Sequence, residues 1–470
     1  MSSRIPLSVA GALRLGRPPE IWFKPALSVV AAVAPPNLTL VALDRLDLAV
    51  YTMAGSLCAL YAHNRPYAAR ARALAWVLLG MLSGLAAALV ASSLTGSAVV
   101  LVAVGAALAA VQKVLCDATR IGPPGHVILT FVSSAALFVP QTLGEIPGHL
   151  ALGAAAGAWS WLVGMAPGLF RPHGPERRAA AAALRAAATY AESRDDHDRA
   201  HARTALTTAR HALAGTGRAT DARRALSRLV DRAEIALAAP ADADPDLLRD
   251  WARQVRGTRA VPLVDDRTLL RSEPVVRDPL WARVRPLGRI GVRTALGCAF
   301  AGYASLALGV GRPYWALVTA ASLYQASLTL TWGRGVQRVV GNLLGVLLFA
   351  ALVPLAHTGG LALVLCCVAL NFGAEALIGR NYWLGSVCVT PMALLITEFA
   401  GLQDPGRLIG ERVLDTLVGL LAALAVPDRA GERVVPGARE APRTLAGTGH
   451  REDPHQDQRT HSDTTEGVRP

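Results

Sequence analysis

The chain has 470 residues, of which 52% are hydrophobic and only 17% are charged, and its formal net charge is +13. A soluble protein of this length would need more charged surface, so the composition argues against an ordinary soluble domain and predicts membrane insertion. Residues 171–285 contribute +6 of this charge and the tail after 427 contributes −1. The remaining +8 belongs to the membrane segments, where it lies mostly in short loops and sets membrane orientation, so we expect no nucleic-acid partner.

A basic N-terminal segment, residues 1–24, precedes a first apolar run at 25–41. We expect an uncleaved first span, because the leader is long, the run contains Pro35 and Pro36, and further runs follow. Several of these are shorter than the about 20 residues of a full span. The further runs, which complete a first membrane segment at 25–170, lie at 46–61, 73–91, 98–115, 126–140 and 150–170.

Charges in the loops of this segment predict its orientation. Alternate loops are basic and the loops between them are nearly uncharged, so the basic loops and both termini are expected in the cytoplasm. We therefore predict a multi-pass protein of the cell membrane. The basic loops carry Arg65, Arg70, Arg72, Lys113 and Arg120.

Apolar runs stop at 171–286, where Ala, Arg and Asp dominate and helix signals recur. We predict a cytoplasmic helical domain with helices near 178–190, 195–214, 220–239 and 244–257. Thr220 and Asp244 are the expected N-caps. His197 and His201 share a helix face, but no third ligand has a clear spacing, so a solvated face is favoured over a metal site.

A second membrane segment spans 287–426, and the polar residues after it, 427–470, are predicted to form a disordered cytoplasmic tail. In the second membrane segment, basic loops again alternate with nearly uncharged ones, as in the first. They place Arg334 and Arg338 in one cytoplasmic loop and Arg380 in the next. The apolar runs lie at 290–310, 313–330, 336–354, 359–378, 382–399 and 408–426.

Short matches between the two membrane segments predict an internal repeat. The separation between matching residues falls steadily along the chain, an order that chance rarely produces. The matches pair 24–27 with 293–296, 54–57 with 320–323, Gly80 and Gly84 with Gly341 and Gly345, Asp117 with Glu375, and 147–150 with 405–408. With six spans per unit, the two repeats should be parallel, which gives about twelve membrane helices in an all-α fold.

Ionisable residues at membrane depth are the candidates for a site, because each is costly in lipid. Asp117 and Glu375, followed by Arg120 and Arg380, could be proton-coupling carboxylates beside a cation that receives an organic anion. They could equally be interfacial ion pairs that fix helix ends. Arg334 and Arg338 match a carboxylate in geometry, but the orientation rule also explains them.

The stretch 312–347 contains Trp315 and Thr319 in one apolar run, then Arg338, Gly341 and a second run. This order resembles the fusaric acid resistance (FUSC) family of membrane transporters, whose aromatic acid exporters it is similar to. The resemblance implies two six-span halves, a soluble insertion and an efflux role, and it adds Trp315 and Thr319 to the candidates. Asn342 stands where relatives commonly have Thr, which leaves the substrate open.

We therefore predict an exporter of small aromatic or carboxylated compounds driven by the proton gradient. Two alternatives stay open: an organic-anion channel, and a membrane scaffold that recruits a partner through its helical domain. No nucleophile, phosphate-loop or metal motif occurs in a credible context, so no enzyme, cofactor or metal is predicted. The expected partners are an organic acid and the lipid bilayer, and a homo-oligomer is left open.

Overall fold

The computed structural model describes residues 9–16, 21–122, 124–214, 220–257, 261–262, 279–310, 312–323 and 328–425. Within these ranges the secondary structure is helical, which confirms the all-α fold class. The tail at 427–470 and residues 1–8 lie outside the described residues, so the disorder expected of the tail stays a prediction.

The first set of membrane helices follows the apolar runs closely. In lipid a helix satisfies its own backbone hydrogen bonds, and uninterrupted Ala, Leu, Val and Gly therefore become helix. A short helix α1 (Val9–Leu13) precedes the set and α8 (Pro167–Phe170) follows it. The set comprises α2 (Phe23–Ala42), α3 (Ala49–Ser56), α4 (Tyr67–Leu94), α5 (Ala98–Thr119), α6 (Val127–Ala136) and α7 (Ile146–Met165).

The second set has the same sequence of long and short helices. It follows the short α13 (Leu280–Val284), which packs against α5. Its helices are α14 (Gly288–Ala307), α15 (Pro313–Leu323), α16 (Leu328–Ala356), α17 (Gly360–Ile378), α18 (Tyr382–Thr397) and α19 (Pro405–Ala425).

Seven helices among the described residues are long and apolar enough to cross a membrane, which establishes a multi-pass membrane protein. Large apolar side chains such as Trp76, Leu347 and Leu421 are about two-thirds exposed on these bundles, as lipid-facing side chains should be. The shorter α3, α6 and α18 are apolar but do not reach the length of a span. The count of about twelve spans therefore stays a prediction.

The helix pairings of the first set recur in the second. α2 packs on α3 and α7, while α14 packs on α15 and α19; α4 packs on α6 and α7, while α16 packs on α18 and α19. Contacts between the sets are also reciprocal, since α5 packs on α14 and α17 packs on α2. The pattern agrees with the predicted repeat, whose origin by duplication stays a prediction.

The segment between the sets holds α9 (Gly174–Ser193), α10 (Asp196–Ala214), α11 (Asp221–Ala238) and α12 (Pro245–Arg256), with α9 packed against the other three. Both predicted N-caps are confirmed. Thr220 Oγ1 accepts the backbone N–H of Arg223 at 3.3 Å, and Asp244 Oδ1 accepts that of Leu247 at 3.1 Å. We call the end of the membrane bundle where α7 leads into α9 the domain end.

The predicted loop position of Arg334 and Arg338 is wrong. Both lie inside α16, which begins at Leu328, and Arg70 and Arg72 likewise lie inside α4. Long arginine side chains can extend from a helix near its end toward polar neighbours, so charge alone did not mark the helix boundary.

The two GxxxG spacings, Gly80 with Gly84 and Gly341 with Gly345, mark packing faces. A Cβ on Gly341 would lie 2.5 Å from Ser386 Cβ, and one on Gly345 would lie 2.7 Å from Thr390 Cβ, so α16 and α18 approach very closely. In the first set a Cβ on Gly84 would lie 2.7 Å from the Gln112 amide nitrogen. Only glycine fits such contacts without movement of a neighbour.

Candidate functional site

Helix α19 carries ionisable side chains into the interior of the second set. Arg412, Asp415, Thr416 and Gly419 share one face at the helical period, and this face packs on α15. Gly419 allows the approach, because a Cβ there would lie 2.7 Å from the backbone oxygen of Ala316. Arg412 is 1% exposed and Asp415 is fully buried.

Arg412 lies over an aromatic ring rather than beside a carboxylate. Its guanidinium carbon is 4.1 Å from the ring centroid of Trp315, which is itself buried and is flanked by Tyr314 and by Phe131 of α6. A cation over an indole face is stabilised by the ring quadrupole. Nε and Nη1 of Arg412 have no hydrogen-bond partner among the described residues.

Asp415 lies within one helical turn of Arg412 and is only half satisfied. Ser305 of α14 donates its hydroxyl to Asp415 Oδ1 at 2.6 Å, whereas Oδ2 has no partner in the part of the chain that the structure describes. The hydroxyl of Thr319 on α15 is also buried and lacks a partner there. Buried polar atoms are normally paired, so this group has capacity to bind another polar species.

A network of neutral polar side chains lies next to this group. Thr416 Oγ1 accepts the Asn342 amide N–H at 2.7 Å, and Thr390 donates to Asn342 Oδ1 at 2.7 Å. All three side chains are buried. The bonds join α16, α18 and α19 across the middle of the second set.

Two arginines lie closer to the domain end of α16. Arg338, one turn before Asn342, donates from Nη1 to the Tyr382 hydroxyl at 2.7 Å. The guanidinium carbon of Arg334 lies 4.0 Å from the centroid of the same ring. Tyr382 therefore holds both cations at the start of α18.

The opposite end of α19 opens into a polar cavity of about 320 Å³. Glu411 bridges two cations there, with 2.8 Å to Arg407 Nε and 3.4 Å to Arg312 Nε. Arg312 also donates to the side chain of Gln403. The cavity lining consists of Arg312, Gln403, Asp404, Arg407, Leu408 and Glu411.

These groups form a continuous series along the second set, which we call the polar column. It begins at the cavity with Glu411, passes the buried Arg412 and Asp415, crosses Asn342, and ends at Arg338 near the domain end. Ionisable groups at such depth are costly in lipid and are typical of substrate or ion pathways.

The last residues of α1 and those that follow it lie across the domain end of this column. Its backbone carbonyls accept hydrogen bonds from side chains of α16 and of the loop and first turn leading into α18. The bonds run from Gln337 to Ala12 O at 2.7 Å, from Asn381 to Ala12 O at 3.1 Å and Arg14 O at 2.7 Å, and from Trp383 to Leu13 O at 3.2 Å. Residues 12–16 thus cover the column beside Arg338.

Residues 298–426 match the family described as fusaric acid resistance protein-like. This part of the chain is similar to a fusaric acid resistance protein-like domain. The matched residues include the whole polar column, so the resemblance seen at 312–347 is confirmed over most of the second set.

A curated relative is also a membrane protein. The chain is 34% identical over 122 residues to YvaC, an uncharacterized membrane protein of Bacillus subtilis (strain 168). The match covers 26% of this chain and 19% of the relative, so the chain spans about a fifth of that protein's length. No solved structure matches the chain.

The second helix set brings together part of the predicted site. Trp315, Thr319 and Arg338 all line the polar column, and Arg334 lies at its domain end. Arg380 is exposed in the loop before α18, where its backbone oxygen accepts the Gly16 N–H at 2.9 Å.

The other predicted carboxylates lie away from these residues. Asp117, near the domain end of α5, forms an ion pair with Lys113 at 2.8 Å, and Arg120 is exposed as the C-cap of that helix. Asp117 thus forms an ion pair near the helix end, with the i−4 lysine on its own helix face. Its role in proton coupling stays a prediction. Glu375 is half-buried at the corresponding position of α17.

Sequence reasoning missed the centre of the column. Arg412 and Asp415 are three residues apart and could pair along their helix, whereas their described partners are Trp315 and Ser305. Three ionisable residues within one turn of a membrane helix were a usable signal. The partners come from helices distant in sequence, and no local pattern indicates them.

The first set has no comparable charges on its last helix. The face of α7 that packs on α3 carries Gly153, Gly157 and Ser160, and a Cβ on Gly55 would lie 2.0 Å from the backbone oxygen of Gly153. The described α7 therefore packs through small residues, whereas α19 packs through a face that includes Arg412 and Asp415. The pairing of helices is shared, but the polar column belongs to the second set.

Proposed function

We propose that the protein is a secondary transporter that exports small organic anions through the polar column of its second helix set. The observation that carries the proposal is Arg412, a cation at membrane depth whose Nε and Nη1 lack partners among the described residues. Such residues usually face a substrate pathway. The match to a fusaric acid resistance protein-like family supports an efflux role. No bond-making chemistry is part of the proposal.

A carboxylate is the group best matched to Arg412. Guanidinium N–H groups bind carboxylate oxygens in pairs, and stacking on Trp315 fixes the plane of the guanidinium before substrate arrives. Thr319 offers a hydroxyl on the same helix as Trp315. We therefore propose organic acids as the substrate class, with aromatic rings favoured by the flanking Tyr314 and Phe131.

Asp415 is the proposed coupling residue. Its Oδ2 is free to take a proton, while Ser305 fixes Oδ1. Protonation removes one negative charge within a helical turn of Arg412, so proton binding and anion binding at this site are thermodynamically linked.

Purified protein in liposomes tests the proposal. Radiolabelled benzoate and salicylate would be followed under an imposed pH gradient, with the membrane potential clamped. We expect uptake by the wild type and by Arg253→Gln, a control on the exposed surface of α12, and loss of uptake in Arg412→Gln. Equal uptake by all three proteins would contradict the assignment of the column.

The same preparation separates the two alternatives. An anion channel would pass currents in planar bilayers that reverse at the anion's equilibrium potential and ignore the pH gradient. A scaffold would show no flux, and a partner would co-purify only while residues 178–257 are present. Coupled uptake without such currents favours the transporter.

We also propose that the domain end faces the cytoplasm. Arg70, Arg120, Arg283 and Arg338 belong to that end, and basic residues concentrate on the cytoplasmic side of membrane proteins. Labelling of Arg120→Cys and Asp404→Cys by an impermeant maleimide in intact cells tests this. Only the cysteine at position 404 should react, and the reverse pattern would overturn the orientation.

A further inference from the structure

A buried arginine lies at the junction between the first helix set and the α9–α12 domain. Arg70, in the first turn of α4, is 4% exposed. Its Nη2 donates to Nδ1 of His63 at 3.1 Å and lies against α7, 3.6 Å from where a Cβ on Gly164 would be. Its Nε has no hydrogen-bond partner among the described residues.

Further cations converge on the same place. Burial lowers the pKa of His63 to about 3, and the positive charges of Arg70, Arg178 and Lys24 add to this, while a backbone hydrogen bond opposes it. The imidazole is therefore neutral and accepts the arginine N–H without adding charge. Burial, together with Arg171, also lowers the pKa of Arg178, whose Nη1 has no partner in the described structure.

One acid, Glu176 in the first turn of α9, lies beside these cations. Its Oε1 is 3.2 Å from Arg223 and 3.9 Å from His173, while its Oε2 has no hydrogen-bond partner among the described residues. The positive charge at the junction thus exceeds what this carboxylate balances. Orientation accounts for exposed arginines such as Arg171, but it does not account for a buried arginine with an unpaired N–H.

We propose that this junction, formed by Lys24, Arg70, Arg171 and Arg178, binds a phosphate group. Arginine N–H groups recognise phosphate oxygens, and an unpaired N–H at the base of a cluster of cations is the arrangement that such an anion completes. The proposal is independent of the transport path, because the junction belongs to the first helix set and α9.

The surroundings favour a lipid as the source of the phosphate. Exposed apolar side chains flank the cations on both sides: Trp22 and Phe23 precede Lys24, and Leu169 and Phe170 precede Arg171. Aromatic and apolar residues next to basic ones are typical of the lipid headgroup level. An acidic phospholipid would place its headgroup on the cations and its chains against these residues, whereas a free phosphate ester would use the cations alone.

Thermal unfolding of the purified full chain in detergent tests the site. The probes are phosphatidylglycerol, phosphatidylcholine, glycerol phosphate and inorganic phosphate, added separately to the wild type, Arg70→Gln, Arg178→Gln and the control Arg72→Gln, an exposed position on the same helix as Arg70. Phosphatidylglycerol should raise the midpoint of the wild type and the control by about 5 °C, as a ligand of the folded state does.

The variants decide the assignment. Arg70→Gln and Arg178→Gln should each lose more than half of that shift; if Arg70→Gln does not fold, Arg178→Gln and Lys24→Gln carry the test. A shift with phosphatidylglycerol alone supports the lipid source, and an equal shift with glycerol phosphate or inorganic phosphate supports a free phosphate. Equal shifts with phosphatidylcholine, or full shifts in both variants, would overturn the site.

Discussion

Arg412 and Asp415 lie one turn apart on α19, both buried, and yet they do not hydrogen-bond to each other. The guanidinium lies over Trp315 and the carboxylate accepts from Ser305. Opposite charges that are close but held apart by other partners leave donors and an acceptor available. This separation distinguishes a binding site from a structural ion pair, which would satisfy both groups.

Replacement of Arg412 by Lys should weaken substrate binding more than it weakens folding. Lysine keeps the positive charge but cannot present a planar fork stacked on Trp315. A desolvated cation–π contact is worth about 2 kcal/mol, so we expect KM for the transported acid to rise at least about tenfold. Liposome uptake at varied substrate concentration measures this, and an unchanged KM would contradict the role of the stack.

Alanine at Gly345 should destabilise the fold, because its Cβ would lie 2.7 Å from Thr390 Cβ and 3.0 Å from the backbone oxygen of Val387. Overpacking of this kind costs about 1–3 kcal/mol. Gly333 on the same helix has no atom within 4 Å of its added Cβ, so Gly333→Ala is the matched control and should be neutral or stabilising. Thermal unfolding in detergent compares the two, and equal midpoints would rule out the close approach of α16 and α18.

Asn342 and Thr390 should be coupled energetically. Asn342→Ala removes an acceptor for Thr390 and a donor to Thr416, which are both at 2.7 Å. Side-chain hydrogen bonds between membrane helices average about 0.6 kcal/mol in double-mutant cycles. A cycle of Asn342→Ala with Thr390→Val should therefore give a coupling near that value, and strictly additive effects would show that the bond contributes nothing to stability.

Deletion of residues 1–16 should expose the domain end of the polar column. Gln337 donates to Ala12 O, so a cysteine at position 337 is covered by this segment in the full chain. We expect an impermeant maleimide to label Gln337→Cys at least about fivefold faster after the deletion, in keeping with release of a locally bound segment. Arg120→Cys, exposed at the same end, should react equally in both chains. The six native cysteines are buried and give a low background.

Much of the fold was predictable because its signals are local. Continuous apolar runs predicted the membrane helices, and Thr220 and Asp244 predicted helix starts through the backbone N–H groups that they accept. The matched glycines mark close packing, because a missing Cβ lets two helix backbones approach wherever it lies in a helix interface. The order of residues along 312–347 was also enough for the family resemblance of the second membrane segment to be recognised.

The site was less predictable, for a physical reason in each case. Arg334 and Arg338 were placed in a loop because charged residues were taken to mark the end of a membrane helix. Both lie in α16, where Tyr382 contacts their guanidinium groups. Asp117 was left open between a coupling carboxylate and an ion pair at the helix end, and its described partner is Lys113 on its own helix face. The contact of Arg412 with Trp315 joins distant helices, so only the packed structure reveals it.

Uptake driven by a pH gradient in two carboxylate variants tests whether Asp415 is the coupling residue of the polar column. Asp415→Asn removes the proposed coupling group of the polar column, whereas Asp117→Asn removes an acid that Lys113 already pairs. With matched protein incorporation, benzoate uptake should lose its dependence on the pH gradient in Asp415→Asn and keep it in Asp117→Asn. Retained coupling in Asp415→Asn together with lost coupling in Asp117→Asn would contradict the assignment of Asp415 as the coupling residue.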